Sequence, residues 1–207
     1  MEINDRIKEK AGELFRRYGV KSITMDEIAS QLGVSKKTIY QSFADKNQLV
    51  DEVIVNMLDL NRSYCMHSMN AADNAVHEVF LTMESMEKLF MNMNPAFVFD
   101  IERGNPLTYK KFLDFKYDFI FTIMKKNIIR GKKEELYREN LNENLIAKFR
   151  LETMMLPFNE EAFPRDEFPL IAMHQELIEY NLFGMVTLKG YKLITKYQNK
   201  RDKIQDK

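Results

Sequence analysis

The chain of 207 residues balances 31 Lys and Arg against 31 Asp and Glu, is 45% apolar and 30% charged, and holds seven glycines, five prolines and one cysteine. Zero net charge excludes a uniformly basic nucleic-acid coat while leaving room for a local basic face, and the apolar share excludes a disordered chain. Cys65 alone cannot form an intramolecular disulfide, no apolar run approaches the ~18 residues of a membrane span, and the start of the chain lacks the apolar core of a secretion signal. These readings predict a cytoplasmic protein with no membrane contact.

Few breakers and many long unbranched side chains predict an all-α fold of about nine helices, near 3–18, 25–32, 36–42, 46–68, 73–92, 95–103, 106–130, 141–156 and 169–199. Ile3, Ile7, Leu14, Phe15 and Tyr18 stripe the first, and Val76, Val79, Phe80, Met83, Met86, Leu89 and Phe90 the fifth. Gly19, Gly33, Gly104 and Gly131 stand where helical stretches should stop. Asn94-Pro95 and Asn105-Pro106 read as an N-cap followed by the first helical position. Pro157, Pro164 and Pro169 bracket the one substantial loop. Gly184, in mid-helix of 169–199, predicts either a close helix approach or a local bend.

The segment Thr24 to Leu49 carries the chemistry. Thr24 and Glu27 have capping-box spacing, Ile28, Ala29 and Leu32 give a short helix its apolar face, and Gly33 supplies a tight turn. Val34 fills the angle between two helices and Ser35 caps the second, in which Ile39 and Phe43, four apart, point inward. Lys36, Lys37, Thr38, Tyr40 and Gln41 are then left facing outward. Two short crossed helices, the second with a basic and hydrogen-bonding outer face, describe a DNA-reading helix-turn-helix; an ordinary helical hairpin with solvated lysines shows the same local pattern.

Thr24, Ile28, Ala29, Gly33, Val34, Ser35, Thr38, Ile39, Tyr40, Phe43, Lys46 and Leu49, with Ala11, Leu14, Phe15 and Gly19 before them, make the stretch resemble the TetR family of bacterial regulators. The resemblance implies a three-helix helix-turn-helix DNA-binding domain over 3–63, its reading motif at about 24–43, and a helical ligand-binding and dimerisation domain over 64–207. It also implies that Thr24, Tyr40 and Lys46 hold phosphates. Ser35, Lys36, Lys37, Thr38 and Gln41 would lie against the major groove, where lysine pairs with guanine acceptors and a threonine methyl meets that of thymine. Gln41-Ser42-Phe43 departs from the family's frequent histidine before the aromatic, and Lys37 stands where small residues are common. Both departures bear on which operator is read.

The resemblance further implies a small-molecule cavity and a homodimer built from the C-terminal helices. There the sequence is rich in Phe and Met, 15 and 14 in the whole chain. Adaptable thioethers suit varied apolar ligands, and plain core filling uses the same residues. The expected lining is Phe97, Phe112, Phe115, Phe119, Phe149, Met154, Phe158 and Met173, for an apolar or amphipathic effector. Leu145, Phe149, Leu177, Tyr180, Gly184, Met185 and Leu188 fall in bands compatible with a four-helix bundle across a two-fold axis. A dimer also follows from reading symmetric half-sites of a double-stranded operator.

An enzyme is the rival from another class. His67, His77 and His174 are scattered, no pair has metal or nucleophile spacing, and no glycine-rich phosphate loop is present. The expectation is therefore no catalytic residue, no cofactor and no metal. A helical adaptor that had lost DNA binding predicts acidic or bulky replacements on the reading helix, whereas Lys36, Lys37, Tyr40 and Lys46 are retained. The functional expectation is a ligand-responsive repressor of transcription.

Overall fold

The computed structural model describes residues 2–205, with side chains through Arg201. Its helices are α1 (Ile3–Tyr18), α2 (Met25–Leu32), α3 (Lys36–Ser42), α4 (Lys46–Ala71), α5 (Ala75–Phe90), α6 (Ala96–Gly104), α7 (Pro106–Asp114), α8 (Phe121–Lys133), α9 (Glu143–Thr153), α10 (Leu170–Phe183) and α11 (Leu188–Gln205). The all-α expectation holds: no strand forms among the described residues, and the one bridge is an isolated antiparallel pair, Tyr137 with Val186.

The chain divides into two compact units. One runs to Asn61 and includes Met91–Phe115; the other holds Arg62–Phe90 and the chain from Lys116 on. In the first unit Ile7, Ala11, Phe15, Ile28, Ile39, Phe43, Leu49 and Val50 form a buried interior. This unit is larger than the expected 3–63, because α6 and α7 are tied to the N-terminal helices by polar contacts too distant in sequence to anticipate. The Asn94 amide donates to the Arg16 carbonyl at 2.6 Å and the Lys21 amide to Asp100 Oδ2 at 2.9 Å. Thr108 Oγ1 donates to Asp51 Oδ1 at 3.0 Å, and Lys111 Nζ lies 2.7 Å from Asp51 Oδ2.

In the second unit Val76, Val79, Phe80, Met83, Ile128, Tyr137, Ala147, Leu182, Met185 and Ile194 cluster in one core. The expected lining residues are split by this division. Phe97, Phe112 and Phe115 belong to the first unit, and Phe119, Phe149, Met154, Phe158 and Met173 to the second. Of these, Phe149 is half exposed at 50%, so it lines no enclosed space in this chain.

Three sequence expectations need correction. The helix predicted at 106–130 is interrupted by a π-helical stretch, Phe115–Ile120, between α7 and α8. Gly131 does not stop α8, which runs on to Lys133. It makes room for a ring: a Cβ there would stand 2.0 Å from Tyr137 Cδ2. The helix predicted at 169–199 breaks between Phe183 and Leu188, where the chain pairs instead with 136–138. The Arg138 amide donates to the Met185 carbonyl, and the Thr187 amide to the Leu136 carbonyl, both at 2.9 Å. Gly184 therefore marks a bend, and Met185, 3% exposed, packs in the core rather than on a dimer face.

Candidate nucleic-acid interface

Local chemistry builds the helix-turn-helix as the sequence dictates. Thr24 and Glu27 form a complete capping box, with the Thr24 amide donating to Glu27 Oε2 at 2.6 Å and the Glu27 amide to Thr24 Oγ1 at 3.2 Å. The Thr24 amide, with the Thr24 hydroxyl that also donates to Oε2 at 2.9 Å, holds the Glu27 carboxyl below the usual carboxylate range. Gly33 closes α2 at φ +67, a left-handed conformation that costs a side-chain-bearing residue. Ser35 Oγ accepts from the Thr38 amide at 3.1 Å and starts α3. Ile39 and Phe43 are buried beneath α3, fixing its rotation about its own axis.

With that face anchored, Ser35, Lys36, Lys37, Tyr40 and Gln41 are exposed and Thr38 is partly so. Lys36 is turned toward α2, its Nζ 2.7 Å from Asp26 Oδ1 and 5.9 Å from the centre of the Tyr40 ring. The hydrogen bond to Asp26 raises the Lys36 pKa, so the side chain keeps its proton. A solvent-exposed pair of this kind contributes little and yields to a phosphate. Lys37 makes no ion pair among the described residues and sits one position further round the helix.

Asp45 caps α4, accepting from the Gln48 amide at 2.8 Å, while Gln48 Oε1 accepts from the Ala44 amide at 2.8 Å. Lys46 differs from the free cation expected. Its Nζ donates to the Val20 carbonyl at 2.6 Å, and partial burial lowers its pKa against the opposing pull of Asp100 and Glu27. The carbonyl uses one N–H of the ammonium and leaves the others for an outside acceptor. The structure thus brings Thr24, Lys36, Thr38, Tyr40 and Lys46 to the helix-turn-helix of one unit. The Lys36 and Lys46 tethers join residues 10 and 26 apart and had no signal in local periodicity.

The sequence profile described as "Bacterial regulatory proteins, tetR family" matches residues 7–53. An HTH-type transcriptional regulator of Staphylococcus aureus (bovine strain RF122 / ET3-1) is 31% identical over 144 residues, covering 62% of this chain and 76% of the relative. The chain belongs to the TetR family. An HTH-type regulator of S. aureus strain USA300 is 32% identical over 126 residues, 56% of this chain and 66% of that protein, so the match spans just under two thirds of the relative. A solved transcriptional regulator from Saccharomonospora viridis, in complex with choline, superposes with a TM-score of 0.70 at 20% identity, covering 89% of this chain and 97% of that one, which shows a shared fold.

The TetR match begins in α1 and ends inside α4, and every residue expected to touch DNA lies within it. TetR proteins are transcriptional regulators rather than a family of enzymes. Among the described residues no group of His, Cys, Asp and Glu is placed to hold a metal ion, and no helix is long and apolar enough to cross a membrane.

Proposed function

We propose that the protein is a dimeric repressor of transcription, acting in the cytoplasm, that inserts α3 into the major groove of a palindromic operator and releases it when a small molecule binds among the C-terminal helices. The observation that carries this reading is the division of α3 into a buried face, Ile39 with Phe43 below it, and an exposed face bearing Lys36, Lys37, Tyr40 and Gln41. Phosphate contacts from Thr24, Tyr40 and Lys46 position the unit, and Lys37 with Thr38 reads base edges. Ser35 does more for the start of α3 than for DNA, because its hydroxyl is occupied by the Thr38 amide.

Leu145, Phe149, Tyr180 and Leu188 are 64%, 50%, 72% and 73% exposed, a set of large apolar side chains on α9, α10 and α11 that a two-fold partner would cover. Leu177 is partly buried on α10 and Gly184 exposed at its end. Operator release follows from population shift. α4 is one unbroken helix from Lys46 to Ala71 whose first part belongs to the DNA-reading unit and whose last part belongs to the other. An effector that favours one conformer of the second unit changes the separation of the two α3 helices, and its differential affinity for the two states sets the response.

The test is binding to duplexes selected from random sequence. Tyr40→Phe with Lys46→Ala should weaken binding to all duplexes alike, and Lys37→Ala should relax preference at one operator position. Unchanged selectivity in Lys37→Ala would make that lysine a phosphate contact, and failure of the unmodified protein to select any duplex would refute the reading.

A further inference from the structure

Arg150 shares a polar cluster inside the second unit with Arg130, and the cluster leaves it without a counterion in contact. Arg130 takes the nearby carboxylates: its Nη1 lies 3.1 Å from Glu78 Oε2 and its Nε 2.7 Å from Glu134 Oε1. Arg130 Nη2 also donates to the Ala72 carbonyl at 2.8 Å. Arg150 has one side-chain hydrogen bond, a long one of 3.4 Å from Nη1 to Asn127 Oδ1, and that oxygen already accepts from Tyr137 Oη at 3.1 Å. The rest of its fork of N–H donors meets no acceptor among the described residues.

The guanidinium lies deep within the unit, and this burial lowers its pKa, with Glu78 and Tyr137 opposing. Yet the residue keeps part of its surface accessible, and its unpaired nitrogens are not among the buried polar atoms that lack a partner, so a ligand can reach them. A guanidinium largely surrounded by protein, with neither a carboxylate nor a full set of acceptors, presents free donors to an anion that can reach it. The neighbouring surface is apolar. Ile146, one turn before Arg150 on α9, and Met124, almost one turn before Asn127 on α8, are only partly buried and pack on the core cluster.

We propose that Arg150 is the anchor of the effector site and that the effector is an amphipathic carboxylate, its head on the Arg150 guanidinium and its tail along the side of Met124 and Ile146. This deepens the repressor reading and rests on it. It also narrows the expected effector from apolar molecules in general to monoanionic ones. Arginine suits the task, since its planar fork holds a carboxylate through two parallel hydrogen bonds.

The probes are the straight-chain carboxylates from hexanoate to hexadecanoate and the matched n-alkanols, each below its aggregation limit, with calorimetry on the full chain. At the best chain length the acid should bind roughly 10- to 100-fold more tightly than the alcohol, the ratio that a charge-assisted hydrogen bond supplies. Arg150→Gln should abolish that preference and Arg150→Lys should restore part of it. Equal binding of acid and alcohol, no binding by any acid, or an undiminished preference in Arg150→Gln overturns the proposal. Should Arg150→Gln fail to fold, the unmodified protein still decides: the carbonyl-13C resonance of the bound acid must stay that of a carboxylate well below its solution pKa, and a bound acid that titrates as a neutral buried group overturns the assignment. None of these readouts uses DNA. A chain that takes the acid but ignores every duplex refutes only the repressor reading, and one that binds its operator without preferring acids refutes only this inference.

Discussion

His174 lies on α10, 2% exposed, with no protein partner for Nε2 and its ring edge-on to Phe90 at 4.9 Å. Burial lowers its pKa from 6.5 to about 4. Between those values the unfolded chain binds a proton that the folded protein refuses, so stability falls as pH drops through this window. For a pKa of 6.5 unfolded and about 4 folded, the loss between pH 7 and pH 5 is about 2 kcal/mol. Little discount for solvent applies, because the ring is buried. The assay is urea unfolding followed by helical circular dichroism at both pH values and one protomer concentration, on the unmodified protein and on His174→Leu. Other groups, including the His77 pair with Asp73 at 3.2 Å, are common to both proteins and cancel in the comparison. The unmodified protein should lose about 2 kcal/mol more than the variant on acidification. An equal loss in the two would show that His174 accepts its proton in place, and the account of its burial would be wrong.

Gly131→Ala should destabilise by about 1–2 kcal/mol, the overpacking cost of up to about 3 kcal/mol exceeding the roughly 1 kcal/mol that alanine gains inside a helix. The new methyl collides with the Tyr137 ring, whose hydroxyl is held by the Ala75 carbonyl and by Asn127 Oδ1, both at 3.1 Å. Thermal unfolding should fall by several degrees, and an unchanged midpoint would mean that the ring moves freely. Ser35→Ala removes the cap of α3 and should cost about 1 kcal/mol in denaturant unfolding. Its duplex affinity should drop with its selectivity intact, whereas altered selectivity would make Ser35 a base contact.

What the sequence disclosed depended on the range of the interaction responsible. Thr24 with Glu27, Ser35 with Thr38 and Asp45 with Gln48 act over three residues, so the starts of α2, α3 and α4 were legible to the residue. The break after Phe183 was not, since helical periodicity continues across it and the competing bonds come from Leu136 and Arg138. The assignment of α6 and α7 to the first unit rests likewise on Arg16, Lys21 and Asp51. At the candidate interface, the outward face of α3 followed from Ile39 and Phe43, but the tethers of Lys36 to Asp26 and Lys46 to Val20 did not. Arg150 escaped notice because a charged residue beside the exposed Phe149 reads as surface, and only Ala147 and Leu151, both fully buried, mark the inward side of α9.

The central claim is that paired α3 helices grip one duplex. Fluorescence anisotropy of a labelled palindromic duplex, titrated with the protein at several salt concentrations, tests it most directly. The account predicts two protomers, or a multiple of two, on each duplex, with affinity falling steeply as salt rises and a shallower salt slope in Tyr40→Phe with Lys46→Ala. One protomer per duplex, or affinity indifferent to salt, would contradict it.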